Sequence, residues 1–453
     1  MPARPDIKKH LSDMRSDGET IRLIARNSQL SILQLEKTKH KIESSFPGIE
    51  VKTILRSSRG DELQDVPLQT VEGSDFFTRD IFDALANNEA DIAIHSLKDM
   101  SSEHFFGKNI FALIDRDDVR DIAIFRKETE QKIKNGETIF IGTCSPRREL
   151  MATVFLQKAL PQWNNNFKVE TKSIRGNVDT RLRKLNSREY DGIILATAGL
   201  NRLLENEKDS SAIRNLLTDK KIMLLPLVEC VPAPCQGAIV AEANANNRKA
   251  VEVLERINDK THMEECVQEK QTALQYGAGC LQKFGVTTIS YGSSKAVYAS
   301  GMDSNGNTFS NWSGLPELKI GNGKLFDATR FMGSFFNYEY IHEISKIKEP
   351  VVYVANFKAA GQKEVIEQLR LKKVWASGSR TWLDLAKKGI WVEGCADAFG
   401  LEFLQPVWAM PILSISKKDI AIVTGSEAAT VWQAKGWKTY ATYKQLEKIS
   451  PEF

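Results

Sequence analysis

Short apolar runs recur through the first half of this chain, and each stops on a charged or hydroxyl-bearing residue. Ile21-Arg22-Leu23-Ile24-Ala25 ends at Arg26, and Asp91-Ile92-Ala93-Ile94-His95 ends at Ser96-Leu97-Lys98-Asp99. Ile139-Phe140-Ile141-Gly142 runs into Thr143-Cys144-Ser145 and Gly192 to Ala196 into Thr197, while Val169 to Ile174, polar in its middle, reads as a strand ending at Arg175-Gly176. Helical patterns lie between them, from Ser28 onward, from about Phe76 to Asn87, and from Asn177 to Leu185. Ser145-Pro146 starts another helix, with a favoured capping residue followed by proline at the first helical position. Strands alternating with helices imply α/β domains built on mainly parallel sheets. Ligands of such sheets bind beyond the carboxyl ends of the strands. Arg26, Lys98-Asp99, Thr143 to Ser145 and Arg175-Gly176 are therefore expected to share one cleft.

A chain of 453 residues exceeds one compact core. The expected organisation is a first α/β domain over 19–115 and 226–243, a second over 120–220, a small α+β domain over 245–345 and an extra α/β-like domain over 349–453. The last begins with the apolar run Val351 to Asn356 and holds six of the eight tryptophans. It is expected to be packed rather than disordered, and to fold separately from the rest. The stretch Arg56 to Asp75 lacks periodicity and reads as a long loop.

Net charge is +4, but Gly142 to Arg202 alone carries seven Arg and four Lys against five acidic residues, +6 in all. The excess is local and points to an anionic ligand. Six cysteines form no Cys-x-x-Cys pair and read as free thiols, and no metal site is expected. No apolar run is long enough for a membrane span, and Met1 to Glu19 lacks the apolar core of a signal sequence, so a cytoplasmic protein is expected.

The ordered motifs narrow the reading. Ala25-Arg26-Asn27-Ser28, Ser58-Arg59-Gly60-Asp61 and Ala93-Ile94-His95-Ser96-Leu97-Lys98-Asp99 come first. Gly142-Thr143-Cys144-Ser145-Pro146-Arg147-Arg148, Ile174-Arg175-Gly176-Asn177-Val178-Asp179-Thr180-Arg181 and Ala198-Gly199-Leu200-Asn201-Arg202 follow. Pro232-Ala233-Pro234-Cys235-Gln236-Gly237-Ala238 and Gly277-Ala278-Gly279-Cys280 complete the series. In order and spacing this set resembles the hydroxymethylbilane synthases (porphobilinogen deaminases), over about Ile21 to Gly285. Departures occur at Gly73-Ser74-Asp75, where the family commonly has Gly-Lys-Gly, and at Leu281-Gln282-Lys283-Phe284-Gly285, where it usually continues toward Pro-Ile-Gly.

The resemblance implies two periplasmic-binding-protein-like α/β domains around a cleft. It also implies joining of four porphobilinogen molecules into linear hydroxymethylbilane with release of ammonia, and a covalent dipyrromethane cofactor. Asp99 is then the catalytic carboxylate, stabilising the cation left when ammonia departs. Cys280 is the cofactor attachment point, since a thiolate is a strong carbon nucleophile. Arg26, Ser28, Gln34, Lys98, Thr143, Ser145, Arg147, Arg148, Arg175, Gly176, Arg181 and Arg202 are the expected binding residues for substrate and cofactor carboxylates, because guanidinium groups and helix N-termini favour such anions. His95 reads as a core histidine. The expected small-molecule partner is the substrate porphobilinogen, with neither nucleic acid nor membrane, for a monomer in contact with the next pathway enzyme. Two alternatives remain: a noncatalytic solute binder of the same plan, or a bifunctional chain whose tail, weakly similar to part of uroporphyrinogen-III synthase, has that activity.

Overall fold

The computed structural model describes residues 20–57, 79–277, 282–291, 294–314 and 336–447. Packing gathers the described residues of 20–119 and 234–282 into one compact unit and those of 120–233 and 283–447 into another.

In the first unit, β1 (Thr20–Arg26), β2 (Glu50–Arg56), β3 (Ile92–Ser96) and β4 (Ile110–Arg116) form a sheet with the late strand β10 (Ala238–Ala243), in the order β2-β1-β3-β10-β4. β1 runs parallel to β2 and β3, whereas β10 is antiparallel to both of its neighbours. Alternate residues Ile21, Leu23 and Ala25 point to one face, where Leu35 and Ile42 of the helix Gln29–Ser45 and Val253 and Leu254 of the helix Arg248–Ile257 bury them.

The second unit repeats the plan. β5 (Asp121–Phe125), β6 (Ile139–Gly142), β7 (Val169–Lys172), β8 (Gly192–Ala196) and β9 (Lys221–Leu224) take the order β7-β6-β8-β5-β9. β6 is parallel to β7 and β8, and β5 is antiparallel to β8 and β9. Each sheet thus holds three parallel strands in the order 2-1-3, an antiparallel insert and then the fourth strand. β1, β3, β6 and β8 match the apolar runs, and β10 falls in the segment 226–243 assigned to the first domain; that β5 and β10 insert antiparallel is not encoded by anything local in Asp121–Phe125 or Ala238–Ala243. Where the segments 117–119 and 234–237 pass each other, Asp117 N–H donates to the Gly237 carbonyl (3.1 Å). Gly237 has φ +83°, and a Cβ there would lie 2.4 Å from the Asp117 carbonyl oxygen, so this crossing admits only glycine.

The segment 245–345 is distributed over both units. Its helix Lys260–Tyr276 packs in the first, while β11 (Lys283–Tyr291), β12 (Ser294–Met302) and β13 (Thr308–Ser313) form an antiparallel meander in the second. The Lys283-Phe284-Gly285 departure is the start of β11. A Cβ on Gly285 would lie 2.3 Å from the Val231 carbonyl oxygen, and Val286 N–H bonds to the Pro232 carbonyl, so this strand lies tight against 231–232.

The C-terminal region forms a six-stranded sheet from β14 (Phe336–Tyr340), β15 (Val351–Val354), β16 (Lys373–Ala376), β17 (Val392–Cys395), β18 (Ile420–Gly425) and β19 (Lys438–Glu447), ordered β14-β19-β18-β15-β16-β17. It is parallel except for β14 on β19. Packed it is, with Trp375, Trp382 and Trp408 fully buried. Its core is continuous with that of the β5–β9 domain, so it is docked there rather than standing apart. Trp382 packs edge-on against Phe155 (5.2 Å) and donates to the Ala159 carbonyl (3.1 Å). Trp391 does the same with Phe125 (5.2 Å) and the Ile222 carbonyl (3.0 Å). Indole rings with one polar edge suit such a joint, and tryptophan count alone could not say on which surface they would close.

Candidate active site

In the first unit β1 and β3 are parallel neighbours, so the residues that follow them emerge at one sheet edge. β3 is buried from Ile92 to His95 and breaks into a single tight turn, Leu97–Asp99. Leu97 and Met100 plug the core, which leaves Lys98 and Asp99 half-buried at the surface between them. Two contacts brace the turn. Gln34 donates through Nε2 to the Ser96 hydroxyl (2.9 Å), and the buried ammonium of Lys270 holds the Met100 carbonyl. Ser28 caps the helix Gln29–Ser45, its hydroxyl accepting from Ser31 N–H (3.3 Å). Arg26, Ser28, Gln34, Lys98 and Asp99 therefore lie at one edge, with Gln34 and Ser28 engaged in holding its shape. Lys270 was not singled out from the sequence, and a lone lysine in an amphipathic helix carries no signal of burial.

Beneath this edge lies a buried carboxylate, Glu242, among two histidines and an asparagine. Glu242 of β10 accepts from Asn109 Nδ2 (2.5 Å) and from His104 Nε2 (2.7 Å), and His95 Nε2 sits 3.1 Å from its other oxygen without alignment for a hydrogen bond. His95 is a core residue, as expected. Burial alone would raise the Glu242 carboxyl, but His104 and His95 outweigh it and pull it down to about 2. A carboxyl lowered on folding stabilises above its unfolded pKa near 4.5, and that contribution is lost as pH falls toward 2. The shift corresponds to about 3 kcal/mol. Glu242→Gln should lower the urea unfolding free energy by about 2–3 kcal/mol at pH 7, with the gap to wild type closing between pH 4.5 and 2. A gap independent of pH would assign the loss to packing.

In the second unit the parallel strands β7, β6 and β8 likewise share an edge. Thr143 and Ser145 follow β6, Arg175 and Gly176 follow β7, and Arg202 lies on the helix Thr197–Glu205 after β8. Ser145 caps the helix Pro146–Ala159, accepting weakly from Arg148 N–H (3.5 Å), and the Thr143 hydroxyl accepts from Ser145 N–H (3.2 Å). These hydroxyls thus serve the helix start itself. Gly176 (φ +110°) turns the chain into the helix Val178–Asn186, and Arg181 Nε donates to its carbonyl (2.8 Å).

Arg147 and Arg148 have an anion within the fold. Both clamp Asp121 at the start of β5, at 2.8 and 2.7 Å, and donate onward to the Val231 and Ile194 carbonyls (2.6 and 3.2 Å). Burial draws the Arg147 guanidinium below its usual range, against the pull of Asp121. Burial does the same to Arg181, where Cys144 opposes it and Arg148 adds to it, so Arg148 and Arg181 sit close enough to repel. Arg148 Nε is buried with no hydrogen-bond partner. A buried orphan donor beside a second guanidinium suits an anionic group carrying carboxylates, and to that extent the residues fit the dipyrromethane expected from the sequence. Asp121 was missed. Its signal, an acidic residue opening the apolar run Ile122–Phe125, is weak without knowledge of where β5 inserts. Asp121→Asn should destabilise the protein by about 3 kcal/mol or more in urea unfolding, since two buried guanidinium groups lose their countercharge. A loss under about 1 kcal/mol would show that other groups neutralise them.

Cys280 and the Ser58–Asp61 and Gly73–Asp75 segments lie outside the described residues. The described cysteines are all free thiols, and Cys230, Cys235, Cys266 and Cys395 are buried. Burial pushes the Cys230, Cys235 and Cys395 thiols well up, away from the reactive thiolate. Among the described residues no helix is long and apolar enough to cross a membrane.

Two sheets of one plan, each with an antiparallel insert and polar residues at the carboxyl edge of its parallel strands, define a protein with paired periplasmic-binding-protein-like domains. Residues 21–252 match the family described as "Porphobilinogen deaminase, dipyromethane cofactor binding domain". The porphobilinogen deaminase of Trichlorobacter lovleyi is 34% identical over 260 residues, 57% of this chain and 76% of its own length. That of a Nostoc species is 32% identical over 282 residues, 61% of this chain and 80% of its own. The chain belongs to the porphobilinogen deaminase family.

Proposed function

We infer that the chain acts as a hydroxymethylbilane synthase, polymerising four porphobilinogen molecules into linear hydroxymethylbilane in tetrapyrrole biosynthesis. What carries the reading is the family match over both binding-protein-like domains, with a carboxylate at the strand edge of one and a guanidinium cluster at that of the other. Dipyrromethane, when bound, supplies the anchored pyrrole end to which units are added. Cys280 would hold it, as the resemblance to the family at Gly277-Ala278-Gly279-Cys280 implies, and Cys230, Cys235, Cys266 and Cys395 are buried thiols. Arg148, Arg175, Arg181 and Arg202 would bind its carboxylates and those of the growing chain, with Thr143, Ser145 and Gly176 shaping the two helix starts. Arg147 positions Arg148 through their shared Asp121. On the first unit Arg26 and Lys98 orient substrate carboxylates, Ser28 and Gln34 hold the edge, and Asp99 stabilises the positive charge that develops as ammonia leaves the aminomethyl carbon. A proton passes from the coupled ring to a nearby base, a role open to the same carboxylate.

A cytoplasmic monomer with porphobilinogen as its small-molecule substrate, and a C-terminal domain that contacts the next pathway enzyme, completes the proposal. Intact mass spectrometry tests its centre. The purified protein should carry a discrete added mass that Cys280→Ser lacks, because an alcohol is a far poorer nucleophile at neutral pH. Unchanged added mass in Cys280→Ser would move the attachment elsewhere.

A further inference from the structure

A cavity of about 850 Å³ opens at the joint between the β5–β9 domain and the C-terminal sheet. Six cations line it: Lys134 and Lys221 from the former, and Lys348, Arg370, Lys372 and Lys373 from the latter. Two are engaged. Lys221 pairs with Glu130 and lies over the Trp391 ring, and Lys134 lies over Trp163 at 4.7 Å. Among the described residues none of Lys348, Arg370, Lys372 and Lys373 forms an ion pair.

A convex basic surface would be solvated and uninformative, but here the charges converge on a concave space. The wall also includes Glu393, which is 9% exposed. Burial pushes this carboxyl up to about 7, against the pull of Lys373, Lys221 and the Trp375 indole N–H. Near neutral pH it is therefore partly protonated and able to donate a hydrogen bond to an anion rather than repel one. The volume lies within the range of small-molecule sites, about 300–1,000 Å³, and exceeds what one inorganic anion fills.

We propose that this cavity binds a small multivalent oxyanion, held by the four unpaired cations and by the Glu393 carboxyl. Carboxylates and phosphates share the required chemistry, so the ligand is either a polycarboxylated pyrrole compound or a nucleotide-like polyphosphate. The walls come from both domains, so the site exists only where the C-terminal region is docked. It does not depend on the deaminase reading, because none of its residues belongs to the proposed active site.

Calorimetric titration of the full-length protein at about 0.15 M salt, with uroporphyrin I, ATP and tripolyphosphate as probes, tests the proposal. At least one probe should bind with Kd below about 100 μM. Lys348→Glu/Lys373→Glu should weaken that binding about tenfold or more while leaving porphobilinogen turnover unchanged. The milder Lys348→Gln/Lys373→Gln serves if charge reversal disturbs folding. Binding of uroporphyrin alone selects the carboxylate source, and binding of the phosphates alone selects the other. Failure of all three probes to bind below about 100 μM, or equal affinity in the charge variants, would overturn the site.

Discussion

Asp99→Asn should lower turnover of porphobilinogen by two or more orders of magnitude while leaving substrate affinity nearly unchanged. The side chain keeps its shape, and the turn that carries it is held by Leu97 and Met100 in the core, by Gln34 on Ser96 and by Lys270 on the Met100 carbonyl. None of these contacts involves the Asp99 carboxylate, so the substitution removes a charge and disturbs little else. A fixed negative charge beside a developing cation acts mainly in the transition state, and such terms appear in kcat rather than in binding. Single-turnover kinetics on cofactor-loaded protein measures this directly. Turnover within about threefold of wild type would place the charge-stabilising group elsewhere.

Ending the chain near Lys348 should unfold or aggregate the remaining protein rather than release an intact deaminase. The C-terminal domain covers Phe125 and Phe155, both at most 4% exposed, with Trp391 and Trp382. Each large aromatic buries roughly 150–250 Å², which at about 25 cal/mol per Å² comes to about 4–6 kcal/mol per ring as an upper bound. Two such rings match the whole stability of an ordinary domain, about 5–15 kcal/mol. The remnant would also expose an apolar patch that invites association. Size-exclusion chromatography and thermal melting of the truncated chain decide the matter. A monomeric product melting within a few degrees of full length would show that the joint is dispensable.

The motif Ala93 to Asp99 and the helix start at Ser145-Pro146 were legible because strand burial, capping and proline placement are local properties, set by neighbours within a few residues. Ile139–Gly142 and Gly192–Ala196 appear as strands with the limits their apolar runs suggested. Arg147 and Arg148 illustrate the opposite case. Their abundance marked an anion site, but whether that anion was a ligand or the protein's own Asp121 depended on β5 being inserted antiparallel beside β8, a pairing across about seventy residues. The same holds for Gly237, whose need for a missing Cβ comes from a crossing with Asp117.

Residue types and their periodicity determined, by themselves, the α/β class, the order of the strand ends and the chemistry available there. Tertiary structure alone decided which charges face each other, which hydroxyls are spent on helix caps, and that the C-terminal domain shares a core with its neighbour. The division has one physical cause. Propensity and amphipathic pattern act through adjacent residues, whereas the partner of a buried charge or an exposed indole is set by chain segments brought together only when the sheets assemble.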